Sequence, residues 1–324
     1  MSRVLLSLLI VPLTFQSPNA PSPADQARLD AQNAELRAML DAGRRLPYDR
    51  EPLEIRQPST DGWAMGMVSW VAADRQGHIY LLQRGDAADP IVVVDRQGRV
   101  VRTWGRGLFT TPHAIRIDPQ GHVWTTDAAS SMVYKFSADG KLLLQIEVGG
   151  QPSPCGNFCS TTDIAFAPDG HLFIADGYRN ARILEYSPEG RKLREWGRAG
   201  SGPGEFRLPH SIQVDQGGTV YVADRENGRI QRFTRDGVYR GEWPQYGKTF
   251  GLTLDGDTMW LSTIPRGPNN VPGWLVAVDR ATGALLGSVE SAGNHGMDVT
   301  PDGDLVHAPG PELVPQRYRR RASR

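Results

Sequence analysis

The repeat is clearest in Pro112-His-Ala-Ile-Arg-Ile-Asp-Pro-Gln-Gly-His-Val-Trp-Thr-Thr-Asp127, where two apolar strands flank an Asp-Pro-Gln-Gly turn. The arrangement recurs along the chain, and five copies align on the turn glycine: Gly77, Gly121, Gly170, Gly218 and Gly303. The first four glycines are 44, 49 and 48 residues apart, and the last interval is 85 residues, about two repeats. A degenerate copy at residues 251–261 fills that interval, so the chain contains six units.

Each unit continues into two further strands, such as residues 132–136 and 142–146, which are joined by a Ser-Ala-Asp-Gly hairpin turn. Repeats of about 40–50 residues built from four short strands are typical of β-propellers. In that fold each blade packs on its neighbours, and closure of the ring protects the sheet edges. We therefore predict an all-β fold, a six-bladed β-propeller over residues 50–312.

Two segments flank the predicted propeller. Residues 21–49 are expected to form a helical segment, because Leu29, Leu36, Met39 and Leu40 recur at helical spacing. Residues 313–324 carry five arginines and are predicted to form a basic tail outside the propeller.

The N-terminus predicts export. A short cationic start, an apolar run at residues 4–15 and small residues up to Ala20 are typical of a signal peptide, here residues 1–20. The mature protein would be periplasmic or secreted. The run is too short to span a bilayer, so we expect no membrane partner. Export also favours a disulfide between Cys155 and Cys159, although two free thiols fit the same spacing.

Overall charge limits the partners. Acidic and basic residues number 36 each, and zero net charge argues against a nucleic-acid partner. We expect a monomer.

Three of the seven histidines share one position of the repeat. His113, His210 and His295 each lie eight residues before a turn glycine, in blades two, four and six. The matching positions of the other blades hold Ser69, Thr162 and Phe250. This position begins the innermost strand, and alternate blades of a sixfold ring are related by 120°, so three imidazoles would converge on the axis. Three protein nitrogens and one open position suit Zn²⁺, although iron, copper or nickel could also bind.

The remaining histidines have simpler interpretations. His78, His122 and His171 directly follow turn glycines, so they are expected to be exposed turn residues, and His307 has no assigned role. For His113, His210 and His295, the alternative to a metal site is that histidine is merely tolerated at the channel mouth.

Arg84, Tyr178 and Arg225 lie just after the second strands of their blades, which end at the same rim as the histidines. The two guanidinium groups would suit a ligand with a carboxylate. Tyr178, between a metal and an arginine, is expected to have a lowered pKa and to act as a base. Alternatively, the arginines only pair with nearby carboxylates. Structural roles in turns are expected for Asp127, Asp176 and Asp224.

At these positions the sequence resembles the NHL-repeat propellers and, more narrowly, the peptidyl-α-hydroxyglycine α-amidating lyase family. The resemblance rests on residues 84–86, 112–127, 158–163, 174–183, 209–212 and 222–231. It implies a carbon–nitrogen lyase that cleaves a C-terminal α-hydroxyglycine to a peptide amide and glyoxylate. The implied zinc ligands are His113, His210 and His295, Tyr178 is the implied base with Arg84 beside it, and Arg225 would bind the substrate.

The resemblance also implies a structural calcium ion, held partly by the backbone carbonyls of Val68 and Ile115. In the family an aspartate that serves this calcium directly follows the third histidine, where this chain has Gly296. Calcium would therefore depend on another carboxylate such as Asp298. The alternative function is a non-catalytic NHL-repeat propeller that binds a protein or ligand on its rim. A calcium-dependent lactonase is disfavoured by the three histidines.

Overall fold

Six four-stranded antiparallel sheets make up the fold and confirm the predicted six-bladed β-propeller. The computed structural model describes residues 23–59, 61–150, 156–269, 271–311 and 314–322. The innermost strands of neighbouring blades contact one another in cyclic order, and the first also contacts the last, which closes the ring.

The strands are numbered along the chain and are given from the innermost strand outward. Blade one consists of β2 (Val68–Ala73), β3 (Ile79–Gln83), β4 (Ile91–Val94) and β5 (Val100–Trp104). Blade two consists of β6 (Pro112–Ile117), β7 (Val123–Asp127), β8 (Met132–Phe136) and β9 (Leu142–Glu147). Blade three consists of β10 (Thr161–Phe166), β11 (Leu172–Asp176), β12 (Arg182–Tyr186) and β13 (Lys192–Trp196). A small parallel pair, β14 (Arg198–Ala199) and β15 (Glu205–Phe206), precedes blade four.

Blade four consists of β16 (Pro209–Val214), β17 (Val220–Asp224), β18 (Arg229–Phe233) and β19 (Tyr239–Trp243). Blade five consists of β20 (Lys248–Asp255), β21 (Thr258–Ile264), β22 (Gly273–Asp279) and β23 (Leu285–Ser291). A 3₁₀ turn, Arg225–Asn227, follows β17. Blade six is β24 (Met297–Val299), β25 (Leu305–His307), β26 (Gln316–Arg320) and, outermost, β1 (Tyr48–Pro52).

The repeated turn has a local chemical cause. Between β6 and β7 the carboxylate of Asp118 accepts the backbone N–H groups of Gln120 and His122, and Gly121 supplies a φ of 86°. A side chain at that φ would be strained, which explains the turn glycine. His78 and His122 bond the turn aspartates Asp74 and Asp118, whereas His171 bonds Glu185 of β12. All three directly follow the turn glycine as predicted, but they are partly rather than fully exposed.

The core consists of six apolar clusters, and each fills the space between two neighbouring blades. Between blades one and two, for example, Trp70 and Tyr80 pack with Ile115 and Phe136. Burying a side chain of this size contributes roughly 1.5–3 kcal/mol, so the blades depend on one another for stability.

The predicted helix is α1 (Pro23–Ala42), which packs against the propeller. Leu36 and Leu40 are buried in the cluster between blades four and five. The Asn33 amide exchanges two hydrogen bonds with the backbone of Arg266. Among the described residues, no helix is long and apolar enough to cross a bilayer. The predicted signal peptide lies outside the described residues and stays a prediction.

The prediction that residues 313–324 form a tail outside the propeller is wrong for residues 316–320. These residues are β26, and β1 pairs with it, so the propeller reaches from Tyr48 to Arg320. The strand forms despite its arginines because Tyr318 is completely buried, while Arg317 pairs with Asp304 at 2.7 Å.

Cys159 is buried, and its Sγ lies 3.5 Å from the carbonyl of Ala129. Cys155 lies outside the described residues, so the disulfide stays a prediction.

Candidate active site

The three predicted histidines converge on the propeller axis. Their ring centroids are 5.0 to 5.1 Å apart, and one nitrogen of each lies within 4.8 Å of the other two. Local backbone geometry contributes at two of them, because β6 and β16 are bulged at His113 and His210. Bulges of this kind redirect a side chain and are common beside active sites.

Each imidazole is oriented by the next blade. The Nδ1 atoms bond backbone carbonyls at the matching repeat position: His113 to Thr162 at 2.6 Å, His210 to Phe250 at 2.7 Å, and His295 to Ser69. A carbonyl only accepts, so Nδ1 must carry the proton and Nε2 keeps its lone pair. This outer contact fixes both the tautomer and the direction of a metal ligand.

Burial lowers the pKa of all three imidazoles. The pKa of His295 falls to about 3, and those of His113 and His210 fall well below the usual value. The positive charge of Arg225 acts in the same direction on all three, and that of Arg84 acts so on His113 and His295. The histidines are therefore neutral near pH 7, which is the form that binds a transition metal. Three neutral, preoriented imidazoles fit Zn²⁺.

Tyr178 lies against the metal-binding edge of this cluster. Its hydroxyl is 2.7 Å from Nε2 of His113 and 3.4 Å from Nε2 of His210. Burial raises the pKa of Tyr178, and this effect outweighs the lowering by Arg225 and Arg84. The neighbouring arginines alone do not compensate for the loss of solvent. The expected lowering also depends on a bound metal, so it stays a prediction.

Arg84 presents an unsatisfied donor to the site. Its Nε donates to the carbonyl of Pro112 at 2.9 Å and its Nη1 lies 3.8 Å from Met67 Sδ, but its buried Nη2 has no partner among the described residues. Phe158 stacks on the guanidinium at 5.2 Å. A buried N–H without an acceptor costs about 1–3 kcal/mol, so Nη2 of Arg84 is a donor available to a ligand or a water molecule in the cleft.

Arg225 is held from both sides. Its Nε donates to Glu226 at 2.8 Å, and its guanidinium lies 4.6 Å from the centre of the Phe250 ring. Glu226 also pairs with the buried Lys248 at 2.9 Å. Neither Glu226 nor Lys248 was predicted as a site residue, although Glu226 directly follows Arg225 in the segment that carries the family resemblance.

A cleft of about 620 Å³ joins these groups. Arg84, Tyr178, Arg225 and His295 line it. The rest of the lining is an apolar wall that was not predicted: Met67, Phe158, Phe250, Val271, Pro272, Pro309 and Pro311. A larger cleft of about 1180 Å³ lies beside α1 and adjoins the first, but none of the predicted site residues lines it. The smaller cleft is therefore the candidate site, and its size suits a small ligand or a peptide end.

The aspartates after the second strands are structural, as predicted. Asp127 accepts the backbone N–H groups of Thr110 and Thr111, and Asp176 accepts from Arg182. Asp224 accepts from Arg229 at 2.8 Å.

The axis beneath the histidines is closed by Trp70. Its ring lies 5.9, 6.3 and 5.4 Å from those of His113, His210 and His295. Behind it lies Arg116, which lines a separate opening of about 580 Å³ at the far end of the channel. Trp70 and Arg116 thus separate the candidate site from that opening.

The residues present do not fit the calcium ion. A Cβ at Gly296 would lie 2.2 Å from the Trp70 ring. Neither the family's aspartate nor any other side chain therefore fits at this position while Trp70 is in place. Asp298, the alternative, accepts the N–H groups of Ala73 and Val299 at 2.9 Å each. In the described part of the chain, only the three histidines cluster as metal-ligating side chains. The expected carbonyl ligands, Val68 and Ile115, therefore have no carboxylate at position 296 to complete the site.

Comparison with known proteins supports the resemblance. Residues 206–233 match the NHL repeat. The chain is 36% identical over 203 residues to the peptidyl-glycine alpha-amidating monooxygenase of Mus musculus, covering 53% of this chain and 21% of that protein. It is 29% identical over 296 residues to the peptidyl-alpha-hydroxyglycine alpha-amidating lyase 2 of Drosophila melanogaster, covering 79% of this chain and 71% of that protein.

A solved streptogramin B lyase structure superposes with a TM-score of 0.59 at 15% identity, over 84% of this chain and 97% of that one, and shows the fold alone. The chain spans about a fifth of the length of the first curated relatives. The chain is a six-bladed β-propeller in which residues 206–233 match the NHL repeat, and its sequence resembles the amidating lyases.

Proposed function

We propose that this protein is a zinc-dependent carbon–nitrogen lyase that converts a C-terminal α-hydroxyglycine-type carbinolamide to an amide and glyoxylate. The observation that carries the proposal is the convergence of three buried, neutral imidazoles beneath a cleft that holds Arg84, Tyr178 and Arg225. Relatives named as lyases of this reaction support the same class of chemistry.

The reaction balances without water or a redox partner. The hydroxyl proton leaves, its O–H electrons form the aldehyde C=O, the Cα–N bond breaks, and the nitrogen gains a proton. One hydroxyl hydrogen is therefore transferred to the departing amide.

Each residue of the site would have a separate role in this reaction. The unpaired Nη2 of Arg84, together with Arg225, binds the carboxylate that becomes part of glyoxylate. Tyr178 moves the hydroxyl proton, since its oxygen lies at the edge where the three Nε2 atoms meet. Zn²⁺, held by His113, His210 and His295, would supply Lewis acidity and a positive charge that favours the phenolate.

The decisive experiment measures glyoxylate release from a peptide ending in α-hydroxyglycine, together with zinc content. We expect Tyr178→Phe to keep zinc but to lose about 10²–10⁴-fold in kcat. Tyr239→Phe, a tyrosine outside the cleft, is the matched control and should remain active. We expect His210→Ala to fold but to lose its stoichiometric zinc.

Each outcome decides a different point. Zinc without glyoxylate release would keep the metal site and reject the substrate, and an active Tyr178→Phe variant would remove this residue as the proton-transfer group. Wild-type protein without stoichiometric metal, together with normal folding of His210→Ala, would favour a non-catalytic propeller that binds a ligand on its rim.

A further inference from the structure

The side chain of Arg116 lies in the central channel, directly beneath the Trp70 ring. Its guanidinium carbon is 5.0 Å from the ring centre, and the residue is only 6% exposed. A cation–π contact is strongest where water is excluded, and a guanidinium tolerates burial better than an ammonium group. The axis therefore already contains a positive charge.

This guanidinium bonds to three other blades. Its Nε and Nη2 donate to the two carboxylate oxygens of Asp163 in blade three, at 3.0 and 2.7 Å. Nη2 also donates to Ser211 Oγ in blade four at 3.3 Å and to the carbonyl of Leu252 in blade five at 2.9 Å, and Nη1 donates to Thr253 at 3.2 Å. One side chain from blade two thus connects four consecutive inner strands.

Further bonds extend the network around the ring. The hydroxyl of Thr253 donates to the carbonyl of Met297 in blade six at 2.8 Å. Asp298, also in blade six, accepts from the N–H of Ala73 in blade one. All six blades are therefore linked through polar contacts at the axis.

The electrostatics are consistent with a fixed cation. Burial by itself would lower the pKa of Arg116, but Asp163 outweighs burial and raises it, with a smaller contribution from Asp298. An ion at this level would meet the guanidinium charge and the volume of Trp70, which already touches the position of Gly296.

We propose that Arg116, seated between Trp70 and Asp163, is the permanent axial cation of this propeller and takes the place of a structural calcium ion. The ring is then held together without calcium. This inference is independent of the lyase proposal, because it concerns stability alone.

The first test needs no variant. Zinc-saturated protein is desalted and titrated with CaCl₂ to about 1 mM, while the melting temperature and the bound calcium are measured. A calcium site of micromolar affinity would raise the melting temperature by several degrees at that concentration, on the order of a thousand times its Kd. We expect no saturable rise and no stoichiometric calcium. One bound calcium per chain with a saturable rise would overturn the proposal.

The second test removes the cation. Arg116→Met leaves Asp163 buried and unpaired, so we expect the melting temperature to fall by roughly 5–10 °C. Arg116→Met combined with Asp163→Asn should recover about half of that loss, because the stranded charge is gone. Arg96→Met is the matched control: it removes an exposed pair with Asp302 and should change the melting temperature by less than about 2 °C.

An Arg116→Met variant no less stable than Arg96→Met would overturn the proposal. If Arg116→Met does not fold, Arg116→Lys keeps the charge without the planar fork, and we expect a smaller but measurable fall. Arg116→Lys with unchanged stability would show that the described hydrogen bonds do not hold the ring. Neither test depends on glyoxylate release, so failure of the lyase proposal would leave both interpretable.

Discussion

The imidazoles at the axis owe their chemistry to contacts outside the blade that carries them. Each Nδ1 is held by a carbonyl of the following blade, at the repeat position occupied by Thr162, Phe250 or Ser69. The register of the repeat predicted which histidines converge. It could not predict the tautomer, because that depends on contacts between residues 40 or more positions apart.

A fourth buried histidine offers a clean test of proton linkage at this centre. His307 accepts the N–H of His295 and contacts Ser262, and burial lowers its pKa to about 3. In the unfolded chain it binds a proton below about pH 6.5. The unfolded state therefore holds more protons between pH 6.5 and about 3, and this contribution to stability is lost as the pH falls through that window.

We expect the free energy of unfolding of metal-free His307→Asn to depend less on pH than that of the wild type. The difference in slope should be about 1.4 kcal/mol per pH unit below pH 6, measured by denaturant unfolding. Both proteins contain the same carboxylates, so the contributions of these groups to the pH dependence cancel in the comparison. Asp298, whose raised pKa has the opposite effect on stability, is one of them. Parallel slopes would mean that His307 is protonated in the folded state.

At the scale of elements, the turns were predictable because their chemistry is local. Asp118 and Gly121 determine the β6–β7 turn by short-range bonds and backbone conformation, and the same pattern repeats. β26 was missed because its arginines were interpreted as a charge run. Tyr318, flanked by side chains that point outward, was the signal for a strand.

Strand β26 should make a large contribution to the stability of the propeller. A chain ending at Pro315 leaves blade six with two strands and removes the buried Tyr318, so we expect the melting temperature to fall on the order of 10 °C. A chain ending at Arg321 keeps β26 and is the control. Equal melting temperatures, measured by circular dichroism, would contradict the assignment of this strand to the ring.

At the scale of the whole molecule, the features that escaped prediction are those produced by closure of the ring. Trp70 is an ordinary apolar residue in its own strand, and only the assembled channel places it against three histidines. The raised pKa of Tyr178 likewise comes from desolvation by several blades. Sequence register located the site, whereas its solvation and its floor required the folded ring.

In the proposed reaction, that floor would also determine the order in which the products leave. Glyoxylate would form at the histidines above Trp70, with no rear exit, and would have to wait until the amide has cleared the cleft. We expect glyoxylate to inhibit competitively against the hydroxyglycine substrate and the amide to inhibit noncompetitively, as steady-state product-inhibition kinetics would reveal. The reverse pattern would mean that glyoxylate escapes first. Closure of the channel behind the histidines would thus leave a single exit and impose an order on product release.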